Sequence, residues 1–76
     1  MPDAAAKLQK KFGEIIRTER TALKLSQEKL AMEAGISMTY MGEIERGEKM
    51  ASLDVVVRLA KALGMTGTQL LAEAEL

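Results

Sequence analysis

Apolar residues recur at helical spacing along the whole chain, and small polar residues or glycines interrupt them at short intervals. Leu8, Phe12, Ile15, Ile16 and Leu23 share one face of a first helix that runs from an N-cap at Asp3 through Leu23, with the basic residues on its other faces. Ser26 is a second cap, ahead of Gln27, Glu28, Lys29, Leu30, Ala31, Met32, Glu33 and Ala34, and Gly35 is placed as a left-handed stop. Ile36 stands alone in a short connection. Ser37 then caps Met38 to Glu45, closed by Gly47. A polar connection from Glu48 to Ala51 leads to Ser52, the cap of a fourth helix that is expected to bury Leu53, Val56, Leu59, Ala60 and Leu63 and to end at Gly64. Thr66 with Gln69 has the form of a capping box opening a fifth helix with Leu70, Leu71, Ala74 and Leu76. Val55 and Val57 hint at a strand, but the period around them is about 3.6 residues and the run ends Leu-Ala-Lys-Ala-Leu, so helix is preferred.

The pattern predicts an all-α fold of five helices, without internal repeats or low-complexity segments. Ile15, Ile16, Leu23, Leu30, Ala31, Ala34, Ile36, Ile44, Val56, Leu59 and Leu63 are its expected core. Met32 and Met65 are expected to fill gaps in that core, and Met41 and Met50 to lie at the surface or an interface.

Composition narrows the function more than the fold. A chain of 76 residues holds one small core and not two, so residues 1–76 are read as a single domain. Apolar residues make up 47% and charged residues 29%, as in a chain that folds rather than stays disordered. There is no Cys and no His, which removes thiol chemistry, imidazole bases and the common zinc ligand sets. With no glycine-rich phosphate loop either, an enzyme, a cofactor and a metal are not expected. No apolar run approaches the ~20 residues of a membrane span. The start, Met1-Pro2-Asp3, also lacks a secretory pattern, so a cytoplasmic protein without a membrane partner is expected. No insertion suggests a pocket, so a small-molecule effector is not expected.

The 11 basic and 11 acidic residues cancel, and overall charge gives no support for a polyanion partner. Their distribution is uneven. Residues 1 to 24 carry six Lys/Arg against three acids, net +3; residues 25 to 52 are net −2, and 53 to 76 net −1. A positive field, where there is one, is local and lies toward the N-terminal third.

Two short helices separated by Gly35-Ile36-Ser37 are the informative feature. A tight turn with Gly at its start suits a helix-turn-helix, but an ordinary αα corner has the same spacing. Leu25-Ser26-Gln27-Glu28-Lys29-Leu30-Ala31, then Ala34-Gly35-Ile36-Ser37, then Tyr40-Met41-Gly42-Glu43-Ile44-Glu45-Arg46-Gly47 resemble the Cro and lambda-repressor-like, Xre-type helix-turn-helix family. Ser52-Leu53 and Leu59-Ala60-Lys61-Ala62-Leu63-Gly64 extend the resemblance to roughly residues 10 to 72. The small size is similar to that of stand-alone regulators of the family, such as restriction-modification controller proteins and compact phage or plasmid repressors.

The resemblance implies a helix-turn-helix at about residues 27–46 whose second helix enters the DNA major groove. On that footing Gln27 matches a position that donates to a phosphate and braces the recognition helix, and Ser37 caps that helix beside N–H groups able to hold a phosphate. Met38, Thr39 and Glu43 match positions facing base edges. Met38 departs from the polar residues common there and offers only an apolar contact, for instance to a thymine methyl. Glu43 either accepts from a cytosine amino group or is a solvated or internally paired acid. Tyr40, Arg46 and Lys49 match phosphate contacts. Arg20 and Glu45 match a partly buried salt bridge between the ends of helices one and three. Arg17 and Lys24 are exposed basic residues without a specific role.

A single half-site contact is weak, so a homodimer on a palindromic operator is expected, with double-stranded DNA as partner. Residues 64 to 76 are the expected dimerisation region, through Met65, Leu70, Leu71, Ala74 and Leu76. Two rival readings stay open: a protein-interaction module, and an antitoxin-type partner that binds DNA only in a complex.

Overall fold

The computed structural model describes residues 3–74, so the expectation for Leu76 lies outside the described residues. The described residues form five helices and no strand: α1 (Asp3–Ala22), α2 (Gln27–Ala34), α3 (Met38–Glu45), α4 (Leu53–Ala62) and α5 (Gly67–Glu73). This is the all-α architecture expected from the hydrophobic pattern.

Local chemistry fixes where the helices begin. The side-chain oxygens of Ser26, Ser37, Ser52 and Thr66 accept from the backbone N–H groups of Lys29 (3.0 Å), Tyr40 (3.1 Å), Val55 (3.3 Å) and Gln69 (3.0 Å). Each bond satisfies one of the N–H groups that a helix start leaves without a partner. At α5 the Thr66 N–H donates in turn to Gln69 Oε1 at 2.9 Å, completing a capping box.

One motif ends four of the helices. Lys24, Gly35, Gly47 and Gly64 adopt left-handed backbone, and the N–H of the next residue reaches back to the carbonyl five positions earlier. These bonds run from Leu25 to Arg20 (3.1 Å), Ile36 to Ala31 (2.9 Å), Glu48 to Glu43 (2.8 Å) and Met65 to Ala60 (2.8 Å). At α1 the left-handed residue is Lys24, with φ 59°, where the others have glycine.

Packing brings α1 against α3 and α5, α2 against α3 and α4, and α4 against α5. Phe12, Ile16, Leu30, Met41, Ile44, Leu59 and Leu70 are fully buried at the centre. Two glycines let α1 and the end of α3 meet backbone to backbone. A Cβ on Gly13, in the middle of α1, would collide with the Ile44 carbonyl oxygen and stand 2.8 Å from that of Glu45. A Cβ on Gly47 would stand 2.9 Å from Lys10 Cα.

The structure corrects the expected core at four positions. Met41 is fully buried, and Met32 is 65% exposed. At about 100° per residue, Met41 points along the same side of α3 as Ile44 and Glu45, whereas Met32 points about 150° away from the mean direction of Leu30, Ala31 and Ala34. Leu53 is 76% exposed because the buried stripe of α4 runs through Val55, Val56, Leu59, Ala60 and Leu63 and leaves Leu53 on its flank. Leu23 falls in the turn after α1 and is exposed, and Leu25 packs against the core in its place. Ile15, Ile36, Met50 and Met65 are half-buried against the core.

Candidate nucleic-acid interface

The helix pair α2–α3 is held by one carboxylate. Glu45, at the end of α3, accepts from Arg20 Nε at 2.7 Å on Oε2, and from Arg20 Nη2 at 3.1 Å and Gln27 Nε2 at 2.9 Å on Oε1. Arg20 Nη1 also donates to the Leu25 carbonyl at 2.8 Å. Four points of the fold converge here: the end of α1, the α1–α2 turn, the start of α2 and the end of α3. The Glu45 side chain is only 3% exposed and that of Arg20 13%, so the forked guanidinium–carboxylate pair is largely shielded from water. Among the described residues no buried side-chain polar atom lacks a hydrogen-bond partner.

A second brace joins α4 to the turn. Arg58 Nη1 donates to the carbonyls of Ala34 (3.2 Å) and Gly35 (3.3 Å), and Nη2 donates to Asp54 Oδ2 at 2.8 Å. The guanidinium thus satisfies carbonyls that the end of α2 leaves open. Tyr40 links α3 to the cap of α4, its half-buried side chain accepting from the Ser52 N–H at 3.3 Å.

With α3 clamped at its end and at its flanks, its start projects into solvent. Ser37, Met38 and Thr39 are exposed, Met38 at 47%. Gln27 is half-buried and gives one amide N–H to Glu45; the amide nitrogen carries two hydrogens. Glu43 is half-buried, with Lys49 Nζ 3.5 Å from its Oε1. Arg46 is exposed and binds Glu48 through Nε to Oε2 at 2.8 Å and Nη2 to Oε1 at 3.2 Å. That hydrogen-bonded guanidinium holds the Glu48 carboxyl below its usual range. The residues named for base and backbone contact therefore gather around α3 and the loop after it.

The residues named for a dimer contact divide. Leu70 and Ala74 are 0% and 2% exposed, packed into the chain's own core, and this corrects their placement at an interface between copies. Leu70 and the C-cap residue Ala74 lie one turn apart, and α5 packs against α4 and α1. Met65 and Leu71 are half-buried.

Sequence reasoning passed over Glu48, Arg58 and Gly13. The alternating charges of Arg46-Gly47-Glu48-Lys49 were a signal for the first. Asp54 four residues before Arg58 was a signal for that ion pair, though not for the bonds to α2. No local signal distinguishes Gly13.

Two short helices joined by a three-residue turn, the second clamped with its start exposed, define the helix-turn-helix class. A family model described as Helix-turn-helix matches residues 16–70, and the chain belongs to that family. Control protein C.BamHI of Bacillus amyloliquefaciens is 43% identical over 61 residues, covering 79% of this chain and 75% of that one. Control protein C.SmaI of Serratia marcescens is 38% identical over 74 residues, covering 93% and 88%. Among solved structures, the restriction-modification controller protein C.AhdI from Aeromonas hydrophila superposes with a TM-score of 0.78 at 42% identity, covering 82% of this chain and 94% of that one. The clp gene regulator ClgR from Corynebacterium glutamicum superposes at 0.84 and 29% identity, covering 90% and 72%. The chain is a DNA-binding regulator of transcription, not an enzyme. Among the described residues no helix is long and apolar enough to cross a membrane.

Proposed function

We propose that the chain binds a palindromic operator as a homodimer, with α3 of each copy in a major groove, and acts as a controller-type regulator. The observation that carries this reading is the Arg20–Glu45–Gln27 clamp, which fixes α3 against α1 and α2 while Met38 and Thr39 stand exposed at its start. A helix held in that way meets DNA without rearranging, so its contacts are not offset by ordering. Thr39 bonds a base or a phosphate and Met38 makes an apolar contact, while Glu43 is the acid paired with Lys49. Ser37, Tyr40, Gln27, Arg46 and Lys49 meet the backbone. Similarity to the controller proteins C.BamHI, C.SmaI and C.AhdI supports the regulatory role.

The second copy docks through apolar surface that α4 and α5 leave open. With Leu70 and Ala74 in the core, the apolar surface available there comes from Met65 and Leu71, and from Leu53 and Val57, which are 76% and 51% exposed one turn apart on α4. Pairing two copies doubles the phosphate contacts and sets half-sites about one helical turn, 10 base pairs, apart.

The test is selection of bound duplexes from a random pool, with sequencing, alongside light scattering of the free protein. A dimer mass with enrichment of a palindrome whose affinity falls as salt rises is the expected result. A monomer that enriches no sequence would overturn the reading and favour a partner-dependent protein.

A further inference from the structure

Both cations of the loop after α3 are already engaged by an acid. Arg46 makes the two-pronged contact with Glu48, and its guanidinium lies back over α3, where a Cβ on Gly42 would come within 2.8 Å of Nη1. Lys49 sits 3.5 Å from Glu43. The four groups cancel in two pairs, and Arg20 answers the remaining acid, Glu45. Although the side chains of Arg46 and Lys49 are 58% and 60% exposed, the four groups of these two pairs together carry no net charge, and Lys10, which lies against Gly47, is a cation beside them.

We propose that Glu48 and Glu43 hold, in the free protein, the places that DNA phosphates take, and so restrain binding to duplexes that offer no base contacts. The inference rests on the reading of this face as the DNA-binding one. Exposed ion pairs are weak and exchange readily, so a phosphate displaces the carboxylate from the guanidinium. The carboxylate does not leave. It stays within the face and opposes the phosphates around it, subtracting from the charge that releases counterions. A duplex with matching base edges overcomes that opposition through contacts at the start of α3, and a random duplex does not. Glu43 and Glu48 are specificity-determining residues on this account, acting against the wrong partner rather than for the right one.

The experiment is a fluorescence-anisotropy titration of the full chain against a random-sequence duplex across a salt series. The variants are Glu48→Gln, Glu43→Gln, and Glu14→Gln, an equal change of charge on an exposed residue of α1 outside this cluster. Glu48→Gln and Glu43→Gln are each expected to steepen the salt slope by up to about 0.9 and to strengthen low-salt binding about threefold. Glu14→Gln is expected to change little. An unchanged or weakened Glu48→Gln protein overturns the proposal, as does an equal gain from Glu14→Gln, which would reduce the effect to net charge. If neither the wild type nor any variant binds a random duplex or yields an enriched sequence, the DNA-binding reading of the face fails first. If the wild type binds a selected operator and the acid variants gain nothing on random DNA, only this proposal fails.

Discussion

Replacing Gly13 by Ala sets two physical effects of opposite sign against each other. Gly13 lies mid-helix in α1, where Ala is the better helix former by about 1 kcal/mol. Judged from α1 alone, the substitution stabilises. Packing reverses the sign: the added Cβ would run into the Ile44 carbonyl oxygen and lie 2.8 Å from the Glu45 oxygen and 3.0 Å from its carbon. All three are backbone atoms at the end of α3, so no flexible side chain is available to turn aside. Relief requires α1 and α3 to separate, which loosens the contacts of Phe12 and Ile44 and pulls on the Arg20–Glu45 pair. Overpacking of this kind costs about 1–3 kcal/mol, and the rigid neighbours place Gly13→Ala at the upper end, for a net loss of about 2 kcal/mol. In a domain of this size that lowers Tm by roughly 8–16 °C. Thermal unfolding followed by circular dichroism reads the shift, at a fixed protein concentration so that self-association does not enter the comparison. Gly67→Ala is the matched comparison, since a Cβ there meets Val57 only at 3.8 Å and is expected to be neutral or stabilising. A Gly13→Ala protein as stable as the wild type would refute the close approach of α1 and α3.

Glu45→Gln keeps the shape of the clamp and removes its charge. It leaves the Arg20 guanidinium, 13% exposed, without its counterion, and a loss of about 3 kcal/mol in urea unfolding is expected together with weaker operator binding. No loss of stability would show that the pair is not a structural clamp. Lys24→Gly relieves the left-handed backbone at φ 59° and is expected to raise stability by about 1 kcal/mol; a decrease would mean that the lysine side chain compensates for the strain. Glu19 on α1 has its pKa raised, first by a hydrogen bond with the Glu73 carboxyl, then by burial and by the charge of Glu73. A raised carboxyl pKa contributes stability that is present below the unfolded value and lost as pH rises through the folded one. Glu73→Gln should therefore gain stability over the wild type at neutral pH and little at pH about 4, near the unfolded value. A pH-independent difference in Tm would contradict the coupling of these two groups.

The sequence by itself determined the local structure of this protein. Ser26, Ser37, Ser52 and Thr66 mark helix starts because a short side-chain oxygen satisfies N–H groups within its own turn, and Gly35, Gly47 and Gly64 mark ends because the left-handed backbone there suits glycine. The motifs around that punctuation also carried the resemblance to the helix-turn-helix family. Tertiary structure decided what depends on a neighbour from elsewhere in the chain. Met41 rather than Met32 entered the core, Leu70 and Ala74 packed inward rather than toward a second copy, and Leu53 stayed outside, because each short helix carries more apolar residues than one face holds. Gly13 shows the division most sharply. Within α1 it is an unfavourable residue in a good helix, and its reason is a pair of carbonyl oxygens some thirty residues away, which no local pattern records. The same holds for Arg58 on the end of α2, 24 residues from Ala34, whereas the pairing of Glu45 with Arg20, 25 residues distant, was announced only by the family resemblance. Caps and turns are set by atoms a few bonds apart, and core selection by which faces the packed helices leave free.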